Sequence, residues 1–313
     1  MNAGTDSYIY LGVDCGGTSL RVAVAGSSGE ILDEEVVPTG PAQDEVNGLG
    51  EAIALLVTGF LPKSTRHGKP VGGIGIGLPF VCWDGKAHLC RNVRALDPVW
   101  LETRLGELCG CPVAITNDVK CAALGESWLG AARGADPFVY LNVGTGLSAA
   151  LYLDGKVHQG AHNAAGEIAD WAMEPGEPRH LAPGLGPLEE AMSGVGLSGA
   201  YKVASHADAG ISAAEIFNRA EAGDELALSV IERGLGYLLP AIANIVTFVD
   251  PELLVVGGGV SKGLARYADR IEAYMRTTTP FPPRIAWSTL GGRAGLLGAV
   301  QLAIRSLDGS WAT

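Results

Sequence analysis

The stretch "YLGVDCGGTSLRVAVAGSSGEIL", residues 10–32, decides the fold, because its layout returns as "FVYLNVGTGLSAALYLDGKVHQG" at residues 138–160. In each copy an apolar run reaches a glycine-rich turn, a second run follows, a short polar turn closes it, and a third run leaves. Runs bounded in this way read as strands joined by hairpins. An internal repeat is taken before any local assignment, because each copy implies the same structural unit. The duplication predicts two lobes built on one β-meander, each aiming a Gly-rich turn in the same functional direction.

Working outward from the first copy, strands are expected at 8–14, 20–26 and 31–38, and a helix at about 44–61 ended by Pro62. A buried strand at 71–79, a loop holding "CRNVRALDPVW", a helix near 98–108, a strand at 112–118 and a helix at 119–130 follow. Beyond the second copy come an irregular stretch, 161–186, and helices near 187–205, 212–222 and 224–248. A strand at 252–259, a helix near 262–276, a strand at 284–290 and a helix at 294–307 complete the chain. Strands alternating with helices after each meander indicate an α/β architecture. The expected lobes are 1–118 and 119–293, with the last helix, 294–313, a candidate to pack back on the first.

The chain has 313 residues, room for two lobes of about 100–200 residues each. Hydrophobic residues make up 47% and charged residues 18%, a globular composition without charge blocks. A net charge of −12 with no Lys/Arg cluster speaks against nucleic acid and anionic membrane as partners. The N-terminus lacks a basic region followed by an apolar run, so no signal peptide is expected. No apolar stretch reaches the roughly 20 residues of a membrane helix, and the longest, "LLPAIANIVTFV" (238–249), reads as a buried helix. Six scattered cysteines, Cys15, Cys82, Cys90, Cys109, Cys111 and Cys121, suggest free thiols in a reducing cytoplasm. Cys109 and Cys111 lack further ligands at zinc spacing and read as small residues at a helix end and the next strand.

Three Gly-dense sites stand out: "DCGGTSLR" (14–21), "VGTGLS" (143–148) and "VVGGGVS" (255–261). Backbone N–H groups at such turns form anion-binding concavities. A P-loop, a dinucleotide fingerprint, H-E-x-x-H and G-x-S-x-G are all missing. Asp14, at a strand end beside the first turn, is placed either to hold Mg²⁺ through water or simply to start the turn. Asn117 and Asp118 in "ITND" stand where a helix begins, the usual place of an N-cap. In "GEIAD" (166–170), Glu167 and Asp170 could form a metal site, an acid/base pair, a grip on a polar ligand, or a solvated turn.

"DCGGTSLR" (14–21), "TNDVKCAALGE" (116–126), "NVGTGLSAAL" (142–151), "AAGEIAD" (164–170), "GPLEEAMSG" (186–194) and "VVGGGVS" (255–261) occur in the order seen in ROK-family sugar kinases. The chain resembles that family over nearly its whole length. The resemblance implies a two-lobed actin-like (ribonuclease H-like) ATPase fold with an interlobe cleft that closes on sugar. It implies ATP and Mg²⁺ as cofactors, a small-molecule sugar as substrate, and a homodimer. Asp14 would hold the metal, and Gly16, Gly17, Thr18 and Arg21 match the first phosphate motif. Gly144, Thr145 and Gly146 match the second, and Gly257, Gly258 and Gly259 the adenosine motif. Asp118 would be the catalytic base, with Asn92, Asn117, Asp118, Glu167, Asp170 and Glu189 around the sugar.

The chain departs from the family at its zinc loop. The family's His is Asp170 here, and His180, Ala182 and Pro187 fall at the cysteine positions. No zinc ligand set survives, so a zinc-free loop restricted by Pro175, Pro178, Pro183 and Pro187 is expected. Asp170 beside Glu167 and Glu189 makes that rim more anionic. It is either a drifted, solvated residue or a grip for an ammonium group, as in glucosamine or kanosamine. The expected reaction is transfer of the ATP γ-phosphoryl to a hexose 6-hydroxyl, with an amino sugar favoured and a plain glucokinase or cyclitol kinase as alternatives. A sugar-binding regulator without catalysis and an ATPase with a protein client are the other classes. Only seven residues precede the first strand, too few for a DNA-binding module, and the acidic balance opposes DNA.

Overall fold

The computed structural model describes residues 7–39, 48–65, 67–90, 96–172, 184–207, 209–307 and 309–311. The chain divides into two compact units. The first comprises Met1–Gly134, Ala150–Ala165 and Gly292–Thr313; the second comprises Ala135–Ala149 and Gly166–Gly291.

In the first unit, β1 (Ile9–Cys15), β2 (Ser19–Gly26) and β3 (Ile31–Pro38) form the expected meander. After α1 (Gly48–Thr65), β4 (Val71–Leu78) pairs parallel with β1. A small hairpin, β5 (Val81–Trp83) and β6 (Lys86–His88), precedes α2 (Pro98–Cys109). β7 (Val113–Asn117) then pairs parallel with β4, giving the order β3-β2-β1-β4-β7, and α3 (Asp118–Leu129) follows it directly. Strand alternation sorts the core onto two faces. Ile9, Leu11 and Val13 pack with Ile53, Val57 and Phe60 of α1 and with Leu101 and Leu105 of α2. Tyr10 and Ala25 point the other way, against Val300 and Ala303 of α10 (Ala294–Ser306).

That second face is built by backbone contact. A Cβ on Gly75 of β4 would lie 1.8 Å from the Ala299 carbonyl oxygen, and one on Gly298 would lie 1.6 Å from that of Cys121. So α10 lies directly on the sheet and on α3, with no side chain between them at these points.

The second meander is β8 (Phe138–Val143), β9 (Leu147–Leu153) and β10 (Lys156–Val157). β11 (Leu253–Gly257) pairs parallel with β8 and with β12 (Arg284–Trp287), giving the order β10-β9-β8-β11-β12. This repeats the strand order of the first sheet, and the fold is the α/β actin-like ATPase type that the duplication anticipated. The helices of the second unit are α4 (Pro187–Met192), α5 (Gly194–Ser205), α6 (Ala213–Glu221), α7 (Glu225–Val249), α8 (Ser261–Leu264) and α9 (Ala268–Thr278).

Several local expectations change. The first helix does not stop at Pro62 but runs to Thr65, since one missing N–H removes a single intrahelical bond. The helix expected at 187–205 breaks at Ser193, whose buried side chain accepts from the Gly196 N–H at 2.9 Å and so starts α5. The helix expected at 262–276 is α8 and α9 joined by a 3₁₀ turn at Ala265–Tyr267. The β5–β6 hairpin was not anticipated, although its Asp84-Gly85 turn, with both residues at positive φ, is a strong hairpin signal. The first unit does not end at residue 118, because α3 packs on α10 and β4 and belongs with them. By length and composition α7 is long and apolar enough to cross a membrane, contrary to expectation. Its Val230, Leu235, Leu238 and Ile242 are nonetheless buried within the second unit, against α4, α5 and α6. Cys109 ends α2 before the left-handed Gly110, and burial pushes the Cys111 thiol up to about 11, with Cys109 adding to it.

The close packing of α10 yields a paired prediction. Gly75→Ala must displace backbone and should lose about 3 kcal/mol in urea unfolding. Gly59→Ala, in an exposed part of α1 with nothing within 4 Å of the added carbon, should gain about 0.5–1 kcal/mol. Equal effects from the two would contradict the packing.

Candidate active site

In the first unit, the register places Asp14 beside Gly77 and Gly77 beside Thr116. These residues form one row across three parallel strands near their C-terminal ends, where ligands collect in sheets of this kind. Strands are about 4.8 Å apart, so β1 and β7 stand about 10 Å apart across β4. Asp14 sits at the β1 end of this row, and Asn117 and Asp118 follow its β7 end.

Asn117 is the N-cap of α3: its Oδ1 accepts from the Val119 N–H at 2.9 Å and the Lys120 N–H at 3.3 Å. The capping role and a binding role are compatible, because the cap uses the amide oxygen and leaves binding to the Nδ2 donor. Asp118 opens the helix, and its Oδ1 accepts from the Val119 N–H at 2.8 Å. A carboxylate at a helix N-terminus is favoured by the dipole. Asp118 and Asp14 both raise the pKa of the buried thiols Cys15 and Cys121, though desolvation is the larger cause in each, so both acids converge on one patch.

Part of Asp14 is accessible, but burial of its carboxyl pushes the pKa up to about 6, with Arg21 opposing. The carboxyl lies against the start of α10: a Cβ on Gly295 would meet its Oδ1 at 2.6 Å. Arg21, its partner across the β1–β2 hairpin, shares Glu34 with Arg293, at 3.7 and 2.6 Å. The turn Gly16–Thr18 is closed by the Gly16 N–H donating to the Ser19 carbonyl at 2.9 Å. Thr39 Oγ1 donates to the Gly16 carbonyl at 3.0 Å. Among the described residues no cluster of three His, Cys, Asp or Glu could cage a metal. Mg²⁺ commonly uses one or two carboxylates, with water and phosphate completing its shell. The enclosed Asp14 carboxyl, which gains from a cation, fits that mode.

In the second unit, the Gly144–Gly146 turn is fastened from two sides. The Gly194 N–H donates to the Gly144 carbonyl at 2.7 Å, and the Val260 N–H to the Val143 carbonyl at 2.9 Å. Gly258 is at φ +88, and a Cβ there would lie 2.4 Å from the Val143 carbonyl oxygen, so only glycine fits. A cavity of about 650 Å³ opens here, lined by Gly144, Thr145 and Gly259, by one face of α5 through Ser198 and Lys202, and by residues 210–214. Gly144, Thr145 and Gly259 thus line one cavity, and Gly146, Gly257 and Gly258 are not among its lining residues. The α5 face and residues 210–214 went unnoticed in the sequence, because they carry no glycine-turn signature beyond Gly210.

The acids of this unit named in the sequence are Glu167, Asp170 and Glu189. Glu167 precedes the 3₁₀ turn Ile168–Asp170, which packs on α4. Glu189 of α4 is buried, and its Oε1 accepts from the Leu147 N–H at 3.2 Å. The Asp170 Oδ1 is enclosed, 2.5 Å from where a Cβ on Gly186 would lie, while the residue as a whole is partly accessible. Asn92, His180 and Ala182 lie outside the described residues, and Pro187 is the first residue of α4.

A duplicated β-meander with a Gly-rich turn in each copy has the actin-like ATPase fold that related solved structures share. The ROK family model matches residues 10–306, and the chain belongs to that family. It is 32% identical over 309 residues to a glucokinase of Halalkalibacterium halodurans, covering 92% of this chain and 93% of the relative. It is likewise 32% identical to an N-acetyl-D-glucosamine kinase of Vibrio vulnificus, covering 95% of this chain and all of the relative (100%). The crystal structure of a ROK family glucokinase from Streptomyces griseus, in complex with glucose and AMPPNP, superposes with a TM-score of 0.78 at 26% identity, covering 95% and 99% of the two chains.

Gly295→Ala should push the Asp14 carboxyl from its place. We expect kcat/KM for ATP to fall by about tenfold or more, with the folded state intact by circular dichroism. Unchanged kinetics would show that the contact of Asp14 with α10 does not matter.

Proposed function

We propose that this protein is an ATP-dependent sugar kinase that transfers the γ-phosphoryl group to the primary 6-hydroxyl of a hexose. The row Asp14–Gly77–Thr116 carries the reading, because it brings a phosphate turn, an enclosed carboxyl and the Asn117–Asp118 pair to the ends of three parallel strands. The 650 Å³ cavity beside Gly144, Thr145 and Gly259 has the size and the backbone amides for a nucleotide.

In this reading Asp118 accepts the proton of the attacking hydroxyl. An alcohol is a far weaker acid than Asp, so the proton leaves late and Asp118 orients the nucleophile as much as it deprotonates it. Asn117 donates from Nδ2 to a ring hydroxyl. Glu167 and Glu189 accept from others, and the Leu147 amide holds Glu189 in place. Mg²⁺, when bound at Asp14, neutralises charge on the phosphates. Gly16, Gly17, Thr18 and Arg21 serve the phosphates on the first unit, and Gly144 and Thr145 do so on the second.

The favoured substrate is an amino sugar such as glucosamine or kanosamine. The carboxylate of the partly accessible Asp170 supports this, since an ammonium there would gain a charge-assisted hydrogen bond. Glucose, an N-acetylated sugar of the kind named for the Vibrio relative, and a cyclitol are the competitors. The six thiols, free in this structure, support a cytoplasmic setting, and the family resemblance supports a homodimer.

Two measurements test the proposal. ADP release should require a sugar, and Asp118→Asn should lower kcat by about a hundredfold or more with little change in sugar affinity. A near-normal kcat in that variant would remove Asp118 from its role. Sugar binding without ADP release would point to a regulator. In a panel of glucosamine, kanosamine, glucose and mannose, an amino sugar should give the highest kcat/KM, and Asp170→Asn should erase that advantage. A preference for glucose that Asp170→Asn leaves unchanged would end the amino-sugar reading.

A further inference from the structure

Three elements of the first unit meet at one residue outside every motif used above. Asn163 lies in the loop between β10 and Gly166-Glu167, with its backbone left-handed at φ +56. Asn is among the few side-chain-bearing residues that accept this conformation readily. Its carbonyl oxygen accepts a hydrogen bond from Lys120 Nζ. Its side-chain Nδ2 donates to the Cys82 carbonyl at 2.7 Å. Lys120 is only 2% exposed, and it stands two residues after Asp118 on α3. A buried ammonium must be matched by acceptors, so a carbonyl turned toward it is held firmly.

The neighbours of these residues meet as well. His162, next to Asn163, packs edge-on against Trp83, next to Cys82, with ring centres 4.7 Å apart and planes at 85°. The Ala165 N–H donates to the Gln159 carbonyl at 3.1 Å and closes the loop on itself. Gly160, at φ +75, lets the chain turn into it. The loop is therefore compact, and Asn163 clasps it both to the β5–β6 hairpin and to the helix that Asp118 begins.

We propose that Asn163 is a positioning residue for sugar recognition: with Lys120 and the Cys82 carbonyl it fixes the chain entering Gly166-Glu167 to the helix that carries Asp118. The proposal rests on the reading of the chain as a sugar kinase. The residues of the clasp belong to the first unit, and the cavity proposed for the nucleotide is lined by residues of the second. Its loss should therefore weaken the sugar and spare ATP, a split that general destabilisation would not produce.

Two variants test it. Asn163→Gly keeps the left-handed backbone and removes the Nδ2 donor. Asn163→Asp keeps the size and faces the Cys82 carbonyl with an acceptor in place of a donor. In both, KM for the sugar should rise about tenfold while KM for ATP stays within about twofold. Amide hydrogen exchange across residues 158–166, read without substrate, should become faster in both variants than in the wild type. That readout examines the clasp even if wild-type turnover were to overturn the kinase reading. Exchange unchanged in both variants, or KM values for sugar and ATP rising together, would overturn the proposal.

Discussion

The structure of the first unit depends on the contact of α10 with the backbones of β4 and α3. Glycines at 75, 125 and 298 let carbonyl groups approach where any side chain would intrude. The consequence is positional. The N-terminus of α10 is brought against the Asp14 carboxyl, and α3, packed on the same helix, is held so that its own N-terminus presents Asp118. A sheet and two helices with bulkier contacts would leave these acids to float by ångströms, and phosphoryl transfer tolerates little of that.

Much of this was legible in the chain, because duplication is a loud signal. Two meanders with the same turns gave the same strand order in both sheets, and the strands of the first meander fell within a residue or so of expectation. Ambiguity came where one residue type serves two ends. Asn117 read both as a cap and as a ligand, and the atoms can divide the roles: the oxygen caps α3, which leaves the nitrogen for the ligand role proposed above. Boundaries failed where tertiary contacts override the pattern. Ser193 splits a continuous helical pattern because the Gly194 and Val195 N–H groups turn to the Gly144 and Thr145 carbonyls. The division of the chain failed for a similar reason, since nothing local in α3, which begins at Asp118, shows that its partner begins only at Ala294.

Least legible were the residues that support others. Lys120 and Asn163 are separated by 43 positions, and neither belongs to a pattern of turn or periodicity that would have paired them. Glu34, which ties Arg21 to Arg293, is likewise an ordinary strand residue until the sheet forms. Motifs disclose groups that meet a ligand, whereas the groups that hold those groups in place emerge only from the fold.

The central claim is that the γ-phosphoryl of ATP moves to a sugar's primary hydroxyl. Phosphorus–proton correlation NMR of the product, formed from ATP and each sugar in turn, tests it most directly. The account predicts a phosphomonoester coupled to the two protons on carbon 6. Inorganic phosphate and ADP as the only new species, or coupling to a ring carbon's proton, would contradict it.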